Sequence, residues 1–464
     1  MVHSQRGHRN SARLDKSALA NLRHGLRGDV ICPEDAGYDA ARRVFNHMID
    51  RYPAAILSCA DDDDVSRSID FAYLNELPIA VRGGGHSAAG HSTCDGGVVI
   101  DLSPMKRVEV DPTNRIARAG AGLTLGELDQ VTQQHGLATP LGIASITGIA
   151  GLTLGGGVGW LNGKHGLTCD NVVSFKIVTA DGRKLQAGPG ENAELYWALR
   201  GGGGNFGVVT SFEYRLHRVG PVYGGMVIHP LDRARDVLRF YREFAASSPD
   251  ELSTLASLGT SPDGDPIIVV SSCYSGPIED GERLLKPLRE FGRPLLDGVG
   301  LQEYVELQNM KDGGFPRGNQ HYWKSGFLYE ISDDAIEVLI DSARTRPSLL
   351  TGIGLQHVHG AAARVDPEAT AFAHRNEYFD CPALTQWRDP AEAEPNIQWA
   401  RDHWNAMKQH FGQGIYVNNL GEDGVDQVQA AYGANYHRLA QIKSRYDPEN
   451  LFRLNQNIEP APAG

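Results

Sequence analysis

Long apolar runs are missing from this chain. Nowhere in its 464 residues is there a stretch of the ~18 apolar residues that a membrane-crossing helix requires. The N-terminal segment MVHSQRGHRNSARLDK is basic, but no apolar segment follows it, so no secretory signal is expected. Positive charge is also scarce: 44 Lys and Arg stand against 57 Asp and Glu, a net charge of −13. A nucleic acid wants a basic face, and so does an anionic membrane surface, so neither partner is expected. Cysteine is thin, with six residues and no CxxC pair, which favours buried thiols over a disulfide frame or a zinc site. These absences point to a cytoplasmic protein whose partners are small molecules. They leave its oligomeric state open.

Glycine is what the chain has in excess. Its 54 glycines make up about 12% of the residues, against a typical ~7%. They cluster at 83–85, 155–157 and 201–204, where the backbone must bend sharply or lie close to something. Around them the pattern alternates between short strands (54–59, 79–81, 98–102) and helices (41–51, 61–74). A hairpin is expected around Asp111-Pro-Thr-Asn114, and a capping box, Thr124 with Glu127, opens a helix to about 134. Strands at 172–180 and 208–216 follow. Beyond Gly220 the pattern becomes a second α+β unit, with half-exposed strands at 224–229, 267–273, 322–328 and 354–364 separated by helices. The first thirty residues read as a loose arm.

RGGGHS (82–87) follows a strand, and Gly83-x-Gly85-x-x-Ala88 matches half of a nicotinamide-dinucleotide fingerprint, with Asp101 about 20 residues on. That fingerprint must open a helix, and HSAAGHSTCDGG has no helical apolar period. The nicotinamide reading therefore fails on context. TGIAGLTLGGGVGW (147–160) is a second backbone-rich loop, suited to cradling a diphosphate without a lysine, and GGGGNFG (201–207) is a third.

RGGGHS, TGIAGLTLGGGVGW, KHGLTCDNVV (164–173), ALRGGGGNFGVVTSFEYRL (198–216) and YDPENLFRLNQNI (446–458) occur in this order at family spacing. They resemble the berberine bridge enzyme-like oxidases of the vanillyl-alcohol oxidase flavoprotein superfamily, and among them the bacterial branch with 6-hydroxynicotine and oligosaccharide oxidases. The resemblance implies an α+β fold. A two-subdomain FAD-binding domain of the vanillyl-alcohol oxidase type (30–218, completed by 412–464) would enclose a substrate domain (219–411) with a broad antiparallel sheet covered by helices.

The resemblance further implies covalent FAD, tethered through His86. Arg82, Gly83, Gly84, Gly85, Ser87, Thr147, Gly148, Gly151, Gly155, Gly156, Gly157 and Gly159 would surround it, and Asn455 and Asn457 would close over it. Lys164 and His165 are weaker candidates for the diphosphate. The position of a second, cysteinyl link in some relatives falls at Ala144, so a single link is expected, and Cys169 reads as a buried thiol. A flavin oxidase takes hydride from a C–H bond, with a base removing a hydroxyl proton where one is present. Tyr416, in a Tyr-x-Asn motif, is the implied base, and a close cation or several hydrogen bonds would have to depress its phenol. Gln356, His357 and Tyr378 are the other catalytic candidates. His359, His374, Arg375, Tyr322 and Trp323 are possible substrate contacts. Val158 stands where many relatives have a tyrosine. That leaves open an alternative role, binding of or resistance to a natural product. Ile149 marks the expected oxygen gate, and its intermediate size does not separate oxidase from dehydrogenase; the oxidase-rich bacterial branch favours O2 as acceptor, giving H2O2. Alcohols, sugar lactols and amines remain open as substrates.

Overall fold

The computed structural model describes residues 16–421 and 424–462. Part of the expected N-terminal arm, residues 1–15, lies outside them, but Lys16–Gly25 is a helix rather than loose chain. Three sheets carry the fold. In the first, Val98–Asp101 runs parallel to both Ala55–Ser58 and Ile79–Arg82, and Asp29–Ile31 adds an antiparallel edge. Every residue of Val98–Asp101 is buried, which is why it reads as a continuous apolar run rather than an alternation. The helix Asp62–Leu74 packs beside it, its first N–H groups bonded by the Asp61 side chain. The second sheet is antiparallel: Val108–Asp111, Ile116–Gly120, Val208–Arg215, Val172–Val178 and Lys184–Ala187, in that spatial order. The capping box at Thr124 and Glu127 forms as expected. All six cysteines are free and buried.

The third sheet has ten strands, antiparallel throughout. Helices Ala234–Ala246, Ile278–Glu290, Asp333–Thr345 and Ala393–Met407 supply buried residues to the apolar core on one face of it. One central strand, Leu252–Thr260, was not expected. Its run LSTLASLGT is polar in composition, yet Ser253 and Thr254 are buried and bonded to Asn162 and Tyr241. The expected strand over 354–364 is Gly352–Val358 followed by a short helix, Ala361–Arg364. Two short strands, Tyr378–Asp380 and Ala383–Trp387, complete the sheet. The chain from 415 to 458 then returns to the second sheet. There the fully buried Lys443 donates to Asp447 (2.5 Å) and to the carbonyls of Asn205 and Phe452.

The helix expected over 41–51 does not form. A single turn, Tyr38–Ala41, is followed by irregular chain. The backbone N–H groups there bond outward instead of to i−4 carbonyls: Phe45 to the Gly85 carbonyl and His47 to that of Asn319, each at 3.0 Å. The buried Asn46 amide fixes this path. It donates to the carbonyls of Ala88 and His321 and accepts from the N–H groups of His321 and Met48.

A second polar joint ties helix Leu125–Gln133 to helix Tyr304–Asn309. Gln308 donates from Nε2 to Asp129 Oδ2 (2.9 Å) and to the Gly142 carbonyl (3.2 Å). Asp129 Oδ1 and Gln308 Oε1 are buried without partners. Burial pushes the Asp129 carboxyl up to about 7. The folded state therefore holds this proton more tightly than the unfolded chain. The stability it contributes is full below pH ~4 and is lost as pH rises through 7. Asp129→Asn supplies a neutral donor facing Gln308 Oε1. Thermal melts are expected to show the variant more stable than wild type at pH 8, with the gain shrinking towards pH 4.

Candidate active site

A cavity of about 350 Å³ lies where the three sheets and the returning C-terminal chain meet, within the usual ~300–1,000 Å³ of small-molecule sites. Its walls include Gly83, Gly84, Gly85, His86, Ser87, Thr147, Gly148, Gly151, Gly155 and Asn455 from the expected set. No lysine or arginine lines it among the described residues.

The glycines serve two separate purposes. A Cβ on Gly84 would stand 2.4 Å from the Gly148 nitrogen, and one on Gly148 would stand 2.4 Å from the Gly84 nitrogen. The two loops thus pack backbone against backbone, and each glycine is required by the other. Gly159 is similarly closed by the Leu141 carbonyl. Gly151 is different. It sits in the short helix Ile149–Leu154 on the cavity wall, and a Cβ there would meet nothing within 4 Å. Its missing side chain leaves room for a ligand rather than for the fold.

His86 is held by rings. Phe45 stacks on it at 3.9 Å between centroids and 16° between planes, and Phe315 and Trp323 stand at an angle to it. Its Nε2 is buried without a partner, and burial pulls the imidazole down to about 4, so the ring is neutral near pH 7. His91 and Ser92 also line the cavity with partnerless polar atoms, and burial lowers His91 likewise to about 4. Asn205 reaches the wall from the third glycine cluster.

A further part of the wall comes from the large sheet. Gln356 and Asp380 are directly paired across neighbouring strands, so their side chains share one face, and both line the cavity. Asp380 is buried and accepts from Ser325 Oγ (2.7 Å) and Asn419 Nδ2 (2.6 Å). Burial pushes its carboxyl up to about 7. Tyr416 stands nearby. Its phenol oxygen accepts from the Gly157 N–H (3.0 Å) and from Asn418 Nδ2 (2.8 Å). No cation contacts it, and burial pushes its pKa up rather than down, contrary to the expected depression. Phe315, Trp323, Pro382 and Leu384 make the rest of this wall apolar.

Several expected residues lie elsewhere. Arg82 is not on the cavity wall; it pairs with Asp101 (2.8 Å), which also accepts from Ser103. That engagement removes the acid a nicotinamide site would need. Gly156 and Gly157 take positive φ behind the wall, although the Gly157 N–H still serves Tyr416. His357 takes the other strand face from Gln356, stacked on His359 and Phe379 and 2.9 Å from Glu377. Tyr378 is buried behind Tyr416, packed on Phe327. Asn457 is partly buried outside the wall, with a partnerless Oδ1. Lys164 bonds the Ser275 carbonyl, and His165 stacks on His217, so neither reaches the cavity. Arg375 is consumed by Asp170, His374 by the Ala431 carbonyl, and Tyr322 accepts from Arg401. Trp323 does line the cavity; Ile149 is fully buried in the core and is not part of the wall. Asp380, Asn418, His91 and Phe45 were missed. Only Asn418 carried a signal, its place in the Tyr-x-Asn motif.

Residues 53–188 match an FAD-binding-domain model, and 415–459 match the "Berberine and berberine like" model. An FAD-linked oxidoreductase of Dictyostelium discoideum is 34% identical, covering 88% of this chain and 89% of that protein. The (R)-6-hydroxynicotine oxidase of Paenarthrobacter nicotinovorans is 31% identical, covering 94% and 97%. The chain belongs to the berberine bridge enzyme-like FAD-linked oxidoreductases. The crystal structure of 6-hydroxy-D-nicotine oxidase from Arthrobacter nicotinovorans superposes with a TM-score of 0.85 at 30% identity, over 94% of this chain and 98% of that one. A chitooligosaccharide oxidase shares the fold, with a TM-score of 0.84 at 21% identity over 96% and 100%.

The cavity suits the FAD that this family binds. His91, Ser92, Trp323 and Asn455 line the cavity together with Gly151, and each carries a buried polar atom without a partner. Buried polar groups normally have partners, so four without them around one cavity mark a polar ligand's place. Without lysine or arginine on the wall, a diphosphate would be met by backbone N–H groups of the glycine loops.

Proposed function

We propose that this flavoprotein is an oxidase that removes hydride from a C–H bond carrying a hydroxyl or amine in a small organic molecule, with dioxygen as final acceptor and hydrogen peroxide as product. The observation that carries this reading is the paired Gln356 and Asp380, which line one cavity with Tyr416 and His86. Bound FAD supplies the hydride acceptor. Asp380, as the carboxylate, takes the hydroxyl or ammonium proton as hydride leaves. Gln356 offers an amide to fix the substrate's polar end. Tyr416 has two donors on its oxygen, which leaves its own proton to donate to the substrate. The apolar residues Phe315, Trp323 and Leu384 exclude water and suit an uncharged or cationic ring. A substrate anion would face Asp380 with no cation on the wall to offset it.

His86 would carry the cofactor through a single bond from an imidazole nitrogen to the flavin 8α carbon. Ala144 is on the wall and offers no sulfur for a second bond. Denaturing precipitation tests the bond: a yellow wild-type pellet and a colourless His86→Ala pellet are expected, and a colourless wild-type pellet refutes it. An oxygen electrode with panels of alcohols, lactols and amines tests the activity. Peroxide from none of them would instead favour a natural-product-binding protein, the role that Val158 leaves open.

A further inference from the structure

The segment around Phe45 has no part in the hydride chemistry, yet its geometry is closely determined. The Phe45 ring lies between two imidazoles: His86 at 3.9 Å and 16°, and His321 at 4.2 Å and 23°. Trp323 stands edge-on to Phe45 at 6.1 Å and to His321 at 5.9 Å. The Phe45 N–H is bonded to Gly85, the residue before His86. Asn46 then ties the same segment to Ala88 on one side of His86 and to both backbone groups of His321. Phe45, Asn46 and His321 are buried. A histidine's ring plane is usually set by a hydrogen bond at its second nitrogen. His86 has no such bond at Nε2. The contact that fixes its face is the stacked Phe45 ring.

We infer that Phe45 is a positioning residue for cofactor attachment: its face fixes the plane of the His86 imidazole, so that one edge of that ring is presented to the cavity and the Nε2 edge is kept in the protein. This rests on the proposal that His86 carries the flavin. Attachment replaces one imidazole N–H and one 8α C–H by an N–C bond. The two protons and two electrons released pass to dioxygen, giving hydrogen peroxide. The reacting nitrogen must present a lone pair along a fixed direction. The neutral state of the buried ring supplies the lone pair, and the stack supplies the direction.

The test adds FAD in air to flavin-free protein and follows two quantities: total bound flavin by absorbance, and acid-stable flavin by fluorescence of the denatured band. Phe45→Leu keeps apolar bulk but loses the flat face, and Phe45→Tyr restores it. Phe45→Leu is expected to bind as much flavin as wild type and to attach it about 3- to 10-fold more slowly, the size of one lost ring stack. Phe45→Tyr is expected to attach it near the wild-type rate. His321→Leu, which removes the ring behind Phe45, is expected to slow attachment by a smaller factor, and it decides the matter if Phe45→Leu does not accumulate. A wild-type attachment rate in Phe45→Leu overturns the inference, as does a loss of total flavin that matches the loss of attached flavin. A wild-type protein with no acid-stable flavin overturns the His86 bond itself. Attached flavin that forms normally in Phe45→Leu overturns only the role of Phe45.

Discussion

Asp380→Asn is expected to lower kcat by about 10²- to 10⁴-fold, the usual contribution of a positioned base, with FAD still bound. The asparagine keeps the shape of the side chain and can still accept from Ser325 or Asn419, but it cannot take a proton. The wild-type pH profile gives a second readout. Burial pushes Asp380 up to about 7, so kcat for a neutral alcohol substrate should rise with pH through that value. In Asp380→Asn the residual rate should lose this limb. Stability moves the opposite way. A carboxyl whose folded pKa is raised stabilises the fold fully below pH ~4 and loses that contribution as pH rises through 7. Above pH 7 the variant should therefore melt higher than wild type while turning over far more slowly. A destabilised, inactive variant would instead make Asp380 a residue of the fold. The kinetics need any substrate from the oxygen-electrode panels that reduces the wild-type flavin.

Gly151→Leu is expected to abolish FAD binding without harming the fold. Leucine favours a helix by roughly 0.8 kcal/mol over glycine, so Ile149–Leu154 gains locally. The new side chain meets no protein atom at its Cβ and extends into the cavity. Purified wild type should be yellow. The variant should be colourless, with its flavin-to-protein absorbance ratio down by at least about tenfold and a melting temperature at or above that of wild-type apoprotein. Gly84→Ala is the contrasting case. Its methyl would lie 2.4 Å from the Gly148 nitrogen and force the two loops apart, so it should lower the melting temperature as well as the flavin content. If Gly151→Leu stays fully loaded with flavin, the cavity is not the cofactor site.

The two glycine substitutions also show where sequence reasoning succeeded and where it merged two causes. The clusters marked loops that line the cavity, because a backbone that must lie close to something has to be glycine. The motif itself does not say whether a glycine borders open cavity, as at Gly151, or another loop, as at Gly84 and Gly148. Strand alternation puts Gln356 on one face and His357 with His359 on the other, but it does not say which face meets the cavity; Gln356 is the one that lines it. Tyr416 was found through its motif, but its electrostatics were read with the wrong sign. Two hydrogen bonds reach its oxygen and favour the phenolate, but burial outweighs them.

By itself the sequence determined the family, the cofactor and the order of the cofactor-binding loops. These follow from local requirements, since a glycine turn or a capping box is specified by residues a few positions apart. Tertiary structure alone decided which side chains line the cavity. Asp380 reaches the wall through its strand's register with Gln356, and Phe45 reaches His86 because Asn46 bonds backbone groups from residues 88 and 321. The periodicity of 41–51 suggested a helix, but outward hydrogen bonds to distant segments outweighed local propensity there. A pairing between residues tens to hundreds of positions apart leaves no mark in the composition or spacing of either one.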